Sequence, residues 1–306
     1  YVKEWLKKTG TILVSVPPLG NTDPVIESFA DFFSELPKRS KFIYLSSTGV
    51  YGDHQGNWVN ESSSLKPKTQ LGIYRLNAER AWKNLVEKFG VKLIIMRLAG
   101  IYGPGRSPIE KLQKGEARVI RKPGLLFSRI HIDDIVGLIK LCLERDDIFG
   151  TYNICDNKPA SSETVIKEAA RLIDVDFPEP ISPEKLSLSK VALGFYSESK
   201  KVSNKKLLEI KPLNGAITEL EDPNFTKESW LDGSYQKKQQ DYLNENFGFR
   251  NIFVRMHNQI YCTLFKEARA KNVIIGKNNF FSDACLVVIF LVWEKYKYKR
   301  DLLFLI

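Results

Sequence analysis

The sequence predicts an α/β fold over residues 1–210, a parallel sheet with helices on its faces, followed over residues 211–306 by a smaller, mostly helical segment. Two observations carry this division: short β-branched runs alternate with amphipathic stretches up to Ile210, and a turn-rich linker, KPLNGAITELEDP, follows it. Thr11 to Val16 (TILVSV) is the first strand, stopped by Pro17-Pro18. Asp23 to Leu36 is helical, with Asp23 as cap and Pro24 in the first turn. Lys41 to Leu45 (KFIYL) is a second buried strand, Asn77 to Phe89 a helix and Lys92 to Met96 (KLIIM) a third strand. In open sheets of this kind ligands sit beyond the carboxyl ends of the strands. The segments after Val16, Leu45 and Met96 are therefore where chemistry is expected.

Composition narrows the function. The 306 residues carry a net charge of +10, but the excess is dispersed, with 32 basic and 25 acidic side chains in residues 1–210 and 14 and 11 in the rest. No arginine-rich or aromatic-interleaved stripe concentrates it, which argues against nucleic acid as a partner. Cys142, Cys155, Cys262 and Cys285 stand far apart, as do His54, His131 and His257, so no metal site is expected. Ala284 to Trp293 is an apolar run of ten, about half of what a spanning helix needs, so no membrane span is expected.

After the second strand the chain reads FIYLSSTGVYG, and after the third MRLAGIYGPGR; FSRIHIDDIV (127–136), GTYNICDNKP (150–159) and KKVSNKKLLE (200–209) follow in order. These five blocks resemble the extended short-chain dehydrogenase/reductase superfamily, the NAD-dependent epimerases and dehydratases, and look most like its atypical reductase-like branch. The resemblance implies a Rossmann-like sheet, NAD or NADP as cofactor, a small-molecule substrate and a cytoplasmic location. It also implies that the sheet is incomplete. Such domains open with a glycine-rich strand-turn-helix that cradles the pyrophosphate, whereas Gly10 and Gly20 stand alone here. On the order of 60 residues, two βα units, are expected ahead of Thr11, and an uncovered sheet edge predicts self-association into a homo-oligomer.

In this superfamily a serine or threonine after the second strand hydrogen-bonds the substrate oxygen, and a tyrosine with a lysine four residues on moves the proton. Ser47 fits the first role. Aligning on Glu79 puts Arg75 at the lysine position and Leu71 at the tyrosine position, so the proton donor is missing; Tyr74 has Ala78 four residues on. Arg75 can hold a ribose or phosphate but cannot exchange protons as a low-pKa ammonium does. The resemblance thus implies Ser47 and Arg75 as the catalytic positions, Pro17, Ser46, Arg75 and Leu98 as cofactor-side residues, and Thr48, Tyr102 and Arg129 as substrate-side residues. Tyr196 and Lys200 satisfy the tyrosine-lysine spacing, but no strand and serine precede them. Asp133 or Asp134 is expected to cap a helix beginning near Ile135, with His131 packed locally.

Residues 224–250 (NFTKESWLDGSYQKKQQDYLNENFGFR), with NVIIGKNNFF (272–281), resemble the N-terminal region of SGNH-hydrolase-like proteins tied to alginate and exopolysaccharide O-acetylation. Helices are expected after Thr226, over about Gly233 to Asn246 and over Arg250 to Ala270, with Trp230, Tyr235, Tyr242 and Phe249 as core. That resemblance implies the periplasm or cell surface, against the cytoplasm for residues 1–210, which points to two joined fragments. Three functions follow: a weakly active or inactive NAD(P)-dependent epimerase/dehydratase-like or reductase-like protein, a non-catalytic nucleotide or metabolite binding module, and an exopolysaccharide O-acetylation-related protein fused to a reductase remnant.

Overall fold

The computed structural model describes residues 11–210, apart from 39, 104–105 and 183–189; the linker, the expected C-terminal helices and Trp230, Tyr235, Tyr242 and Phe249 lie outside the described residues. The main sheet has four parallel strands in the order β1-β2-β4-β7: β1 Thr11–Val14, β2 Lys41–Ser47, β4 Lys92–Leu98 and β7 Gly150–Ile154. Two parallel pairs stand apart from it, β3 (Trp58–Val59) with β8 (Lys201–Val202) and β5 (Gly100–Tyr102) with β6 (Arg129–His131). The parallel α/β architecture expected from the alternating pattern is what the chain adopts.

Both faces of the sheet are buried, so its strands read as continuous apolar runs. On one face Ile12, Val14, Phe42, Tyr44, Leu93 and Ile95 pack with Val25, Phe32, Phe33 and Trp82. On the other, Leu13, Ile43, Leu45, Ile94, Met96 and Leu98 pack with Ile135, Leu138, Ile139 and Cys142. The period-two alternation assigns neighbouring residues of one strand to different cores. The outer edge of β7 is covered by side chains, since Glu61 Oε1 accepts from Asn153 N at 2.7 Å and Lys206 Nζ donates to Thr151 O at 2.8 Å.

Helix α1 (Pro24–Phe29) follows β1 and continues as a 3-10 turn over Ala30–Glu35. Asp23 caps it as its sequence position predicts, its Oδ1 accepting from Val25 N and Ile26 N while Oδ2 accepts from Trp82 Nε1 at 2.9 Å. Helix α2 (Gln70–Phe89) starts seven residues before the expected Asn77. The reason is tertiary: Thr69 Oγ1 accepts from Gly72 N, and Gly72 lies so close to Gly49 O that a Cβ would come within 2.9 Å of it. Gly90, left-handed at φ 67°, ends it. Helix α3 (Pro108–Gln113) and α4 (Ile132–Glu144) follow, and β4 and β2 each run two residues past the expected ends. Among the described residues no helix is long and apolar enough to cross a membrane.

Candidate functional site

The carboxyl ends of β2, β4 and β7 lie in register, with Ser46 opposite Arg97 and Arg97 opposite Asn153. This row forms a buried polar network. Glu79 of α2 accepts from Ser46 Oγ at 2.5 Å and from Arg97 Nε and Nη2 at 3.1 and 2.8 Å, a two-pronged pair on fully buried side chains. Arg97 Nη1 donates to the Tyr51 hydroxyl at 2.9 Å, and that hydroxyl donates to Asn153 Oδ1 at 2.7 Å. Burial would lower the Arg97 pKa, but the Glu79 carboxylate more than reverses this and the guanidinium is held above its usual range. Burial raises the Tyr51 phenol despite Arg97 beside it. Five charged or polar side chains, those of Ser46, Glu79, Arg97, Tyr51 and Asn153, therefore satisfy one another by hydrogen bonds where β2 ends.

Beyond that row stand the residues singled out in the sequence. Ser47 is half-buried and caps a 3-10 turn over Thr48–Tyr51 by accepting from Gly49 N at 3.1 Å. Its own hydroxyl hydrogen has no partner among the described residues. Arg75 reaches from α2 to the same strand end, its Nη1 donating to Leu45 O at 2.9 Å and to the Tyr44 hydroxyl at 3.2 Å. Its Nε and Nη2 make no hydrogen bond among the described residues. Leu71, one turn earlier on the same helix, is half exposed at 50%. Thr48 is half-buried in the turn and Pro17 half-buried past the end of β1. Ser46 and Leu98 sit differently: Ser46 is buried with its hydroxyl spent on Glu79, and the Leu98 side chain is in the core, so only backbone is left to face a ligand there.

Tyr102 and Arg129 come together on the β5–β6 pair, with Tyr102 against the His131 ring at 5.1 Å. Tyr196 meets the Phe127 ring edge to face, whereas Lys200 Nζ donates to Gly52 O and to Glu198 Oε2, so that pair builds no proton-transfer site. The expected cap of α4 is corrected. His131, not Asp133 or Asp134, is the N-cap, its Nδ1 accepting from Asp133 N at 3.3 Å. An imidazole nitrogen supplies the acceptor that an aspartate oxygen would, and both aspartates fall in the first turn, where the helix dipole favours them. The sequence singled out Ser47 and Arg75, which both reach the end of β2, but not the Glu79–Arg97–Tyr51 network, whose members come together from a helix, a strand and a turn.

Burial pushes the His131 imidazole down to about 4 and the Asp133 carboxyl up to about 7. Their linkage signs oppose. The neutral His131 contributes stability that is lost as pH falls from 6.5 toward 4, and Asp133 contributes stability that is lost as pH rises from 3.8 through about 7. The pair is therefore expected to leave stability nearly flat between about pH 4 and 6.5. In urea titrations across that window Asp133→Asn should make stability climb with pH and His131→Gln should make it fall. Identical pH slopes in both variants and the parent would contradict this.

Residues 25–155 match the model of the NAD dependent epimerase/dehydratase family. Protein YeeZ of Escherichia coli K12 is 32% identical over 139 residues, 45% of this chain and 48% of YeeZ. The chain spans about half the length of the curated relatives it matches. Among solved structures, a functionally unknown conserved protein from Silicibacter pomeroyi is 37% identical, covering 73% of this chain and 77% of that one with a TM-score of 0.63. The UDP-glucose 4-epimerase of Thermus thermophilus, solved in complex with NAD, shares the fold at 17% identity and TM-score 0.50, over 68% of this chain and 74% of that one. From its sheet order, its strand-end residues and these matches, the chain belongs to the NAD dependent epimerase/dehydratase family.

Proposed function

We propose that the strand ends of β2 and β4 hold the nicotinamide-ribose side of NAD(H) or NADP(H) beside a small hydroxyl- or carbonyl-bearing substrate, and that turnover is weak or absent. One observation carries the reading: Arg75 and Ser47 converge on the carboxyl end of β2 with unspent donors, two guanidinium nitrogens and one hydroxyl. The residues present fit one half of the dinucleotide. Arg75 offers a fixed positive fork to a ribose hydroxyl or phosphate. The pyrophosphate half is not served by α1, the helix after β1, because the Asp23 carboxylate already takes its first N–H groups and would repel an anion. When bound, the nicotinamide would supply hydride exchange. Ser47 would donate its hydrogen to the substrate oxygen, and Leu71 puts an apolar surface where a proton donor would otherwise stand. Binding without efficient proton transfer is what this set supports, which also favours the binding-module reading over a competent epimerase.

Arg75→Met is expected to weaken NAD(H) binding about tenfold or more, the loss of one or two charge-assisted hydrogen bonds. Ser47→Ala should leave cofactor affinity unchanged and abolish whatever turnover the parent shows. Equal cofactor affinity in Arg75→Met and the parent, measured by calorimetric titration, would remove the assignment.

A further inference from the structure

Arg75 is held by neutral acceptors. Its Nη1 donates to the Leu45 carbonyl at 2.9 Å and to the Tyr44 hydroxyl at 3.2 Å, and the guanidinium carbon lies 5.8 Å from the centroid of the Tyr44 ring. The carboxylates whose charge reaches Tyr44 are committed elsewhere. Asp23, which also feels the charge of Arg75, accepts from Val25 N, Ile26 N and Trp82 Nε1. Glu79, four residues on from Arg75 in α2, accepts from Ser46 and Arg97. Among the described residues Arg75 therefore forms no ion pair, and its positive charge stays uncompensated.

Tyr44 is fixed where Arg75 is not. Its side chain is fully buried in the core on the α2 side of the sheet, with its ring 5.8 Å from that of Trp82. Burial pushes the phenol above its usual range despite Arg75 beside it, so the hydroxyl stays neutral. At that depth it cannot touch a ligand, which excludes it as a stand-in for the proton donor missing at Leu71. A guanidinium is planar, so two acceptors on Nη1 fix its plane, and with it the direction of the edge that carries Nε and Nη2. The Leu45 carbonyl alone would leave the group free to swing about one contact.

We infer that Tyr44 is a positioning residue whose hydroxyl, together with Leu45 O, aims the Nε–Nη2 edge of Arg75 at the bound ligand without neutralising it. This rests on the reading that Arg75 holds a ribose hydroxyl or phosphate of the cofactor. A carboxylate in place of the phenol would grip the guanidinium harder but cancel the charge that the ligand meets.

The test is a double-mutant cycle on binding: calorimetric titration of the full chain with NADH, and in parallel with ribose 5-phosphate, in the parent, Tyr44→Phe, Arg75→Met and the double variant. Tyr44→Phe keeps the ring and removes only the hydroxyl, and is expected to weaken NADH binding about three- to tenfold. In the Arg75→Met background the same change should have no effect, because no fork is left to aim. A merely structural hydroxyl would weaken binding by the same factor in both backgrounds. That result, or equal NADH affinity in Tyr44→Phe and the parent, overturns the positioning role and leaves the cofactor assignment standing. Arg75→Lys decides the matter if Tyr44→Phe fails to fold. It keeps the charge without the planar fork, so it should bind NADH about threefold or more weaker than the parent, and parent-like affinity overturns the role. If NADH does not bind the parent, the cofactor assignment falls and the cycle on ribose 5-phosphate decides: coupling between Tyr44 and Arg75 supports the role, whereas additivity or no binding overturns it.

Discussion

Glu79→Leu is expected to cost roughly 3–5 kcal/mol, enough to leave much of the domain unfolded, because it strands a buried guanidinium. Arg97 is 1% exposed and has the Glu79 carboxylate as its ion-pair partner, while Ser46 loses the acceptor of its hydroxyl hydrogen. The penalty comes from the uncompensated charge more than from the lost attraction. The double variant Glu79→Leu/Arg97→Met should therefore recover a large part of the stability, since replacing both members of a buried pair by apolar groups is often close to neutral. Urea unfolding of the parent, both single variants and the double variant measures this. Equal losses in the single and double variants would contradict the account.

Gly52→Ala is the second large effect, expected to cost about 3 kcal/mol or more through backbone strain and overlap together. Gly52 closes the turn after β2 at φ 70° and ψ −154°, a conformation that L side chains rarely adopt. A Cβ there would lie 2.1 Å from Lys66 O and 2.6 Å from its carbonyl carbon, which are backbone atoms that cannot rotate away. Gly20→Ala is the internal control. Gly20 also has positive φ, at 63°, but nothing lies within 4 Å of its missing Cβ, so only the conformational cost remains, about 1 kcal/mol. Thermal unfolding should rank Gly52→Ala well below Gly20→Ala, and equal melting temperatures would show that the close approach of the turn to residues 66–67 is wrong.

These two sites show what the sequence made legible. The strands were readable because both faces of a parallel sheet are buried, so TILV, KFIYL and KLIIM stand out as apolar runs with no alternation. The position of Ser47 was readable from its ordered block after a strand, and Arg75 was singled out only by its spacing from Glu79, four residues on. Gly52, by contrast, was only one letter of a motif, and its necessity appears when Lys66, fourteen positions away, is seen behind it. The start of α2 was hidden for a similar reason: Gly72 weakens a helix by propensity, yet here it permits contact with Gly49 O. The pairing of Glu79 with Arg97 crosses from a helix to a strand, and no local spacing encodes it. The His131 cap was misread because aspartate is the commoner cap, whereas burial keeps this imidazole neutral and its Nδ1 free to accept.

The central claim, that the ends of β2 and β4 form a nicotinamide dinucleotide site, is tested most directly by thermal unfolding of the full chain against increasing NAD(H) and NADP(H). A ligand at one hundred times its Kd stabilises by about 2.7 kcal/mol, which for a domain of this size raises the melting temperature by roughly 5–10 °C. A saturable rise of that order with at least one of the cofactors, lost in Arg75→Met, is the predicted result. An unchanged melting temperature at millimolar concentrations of all four would contradict it.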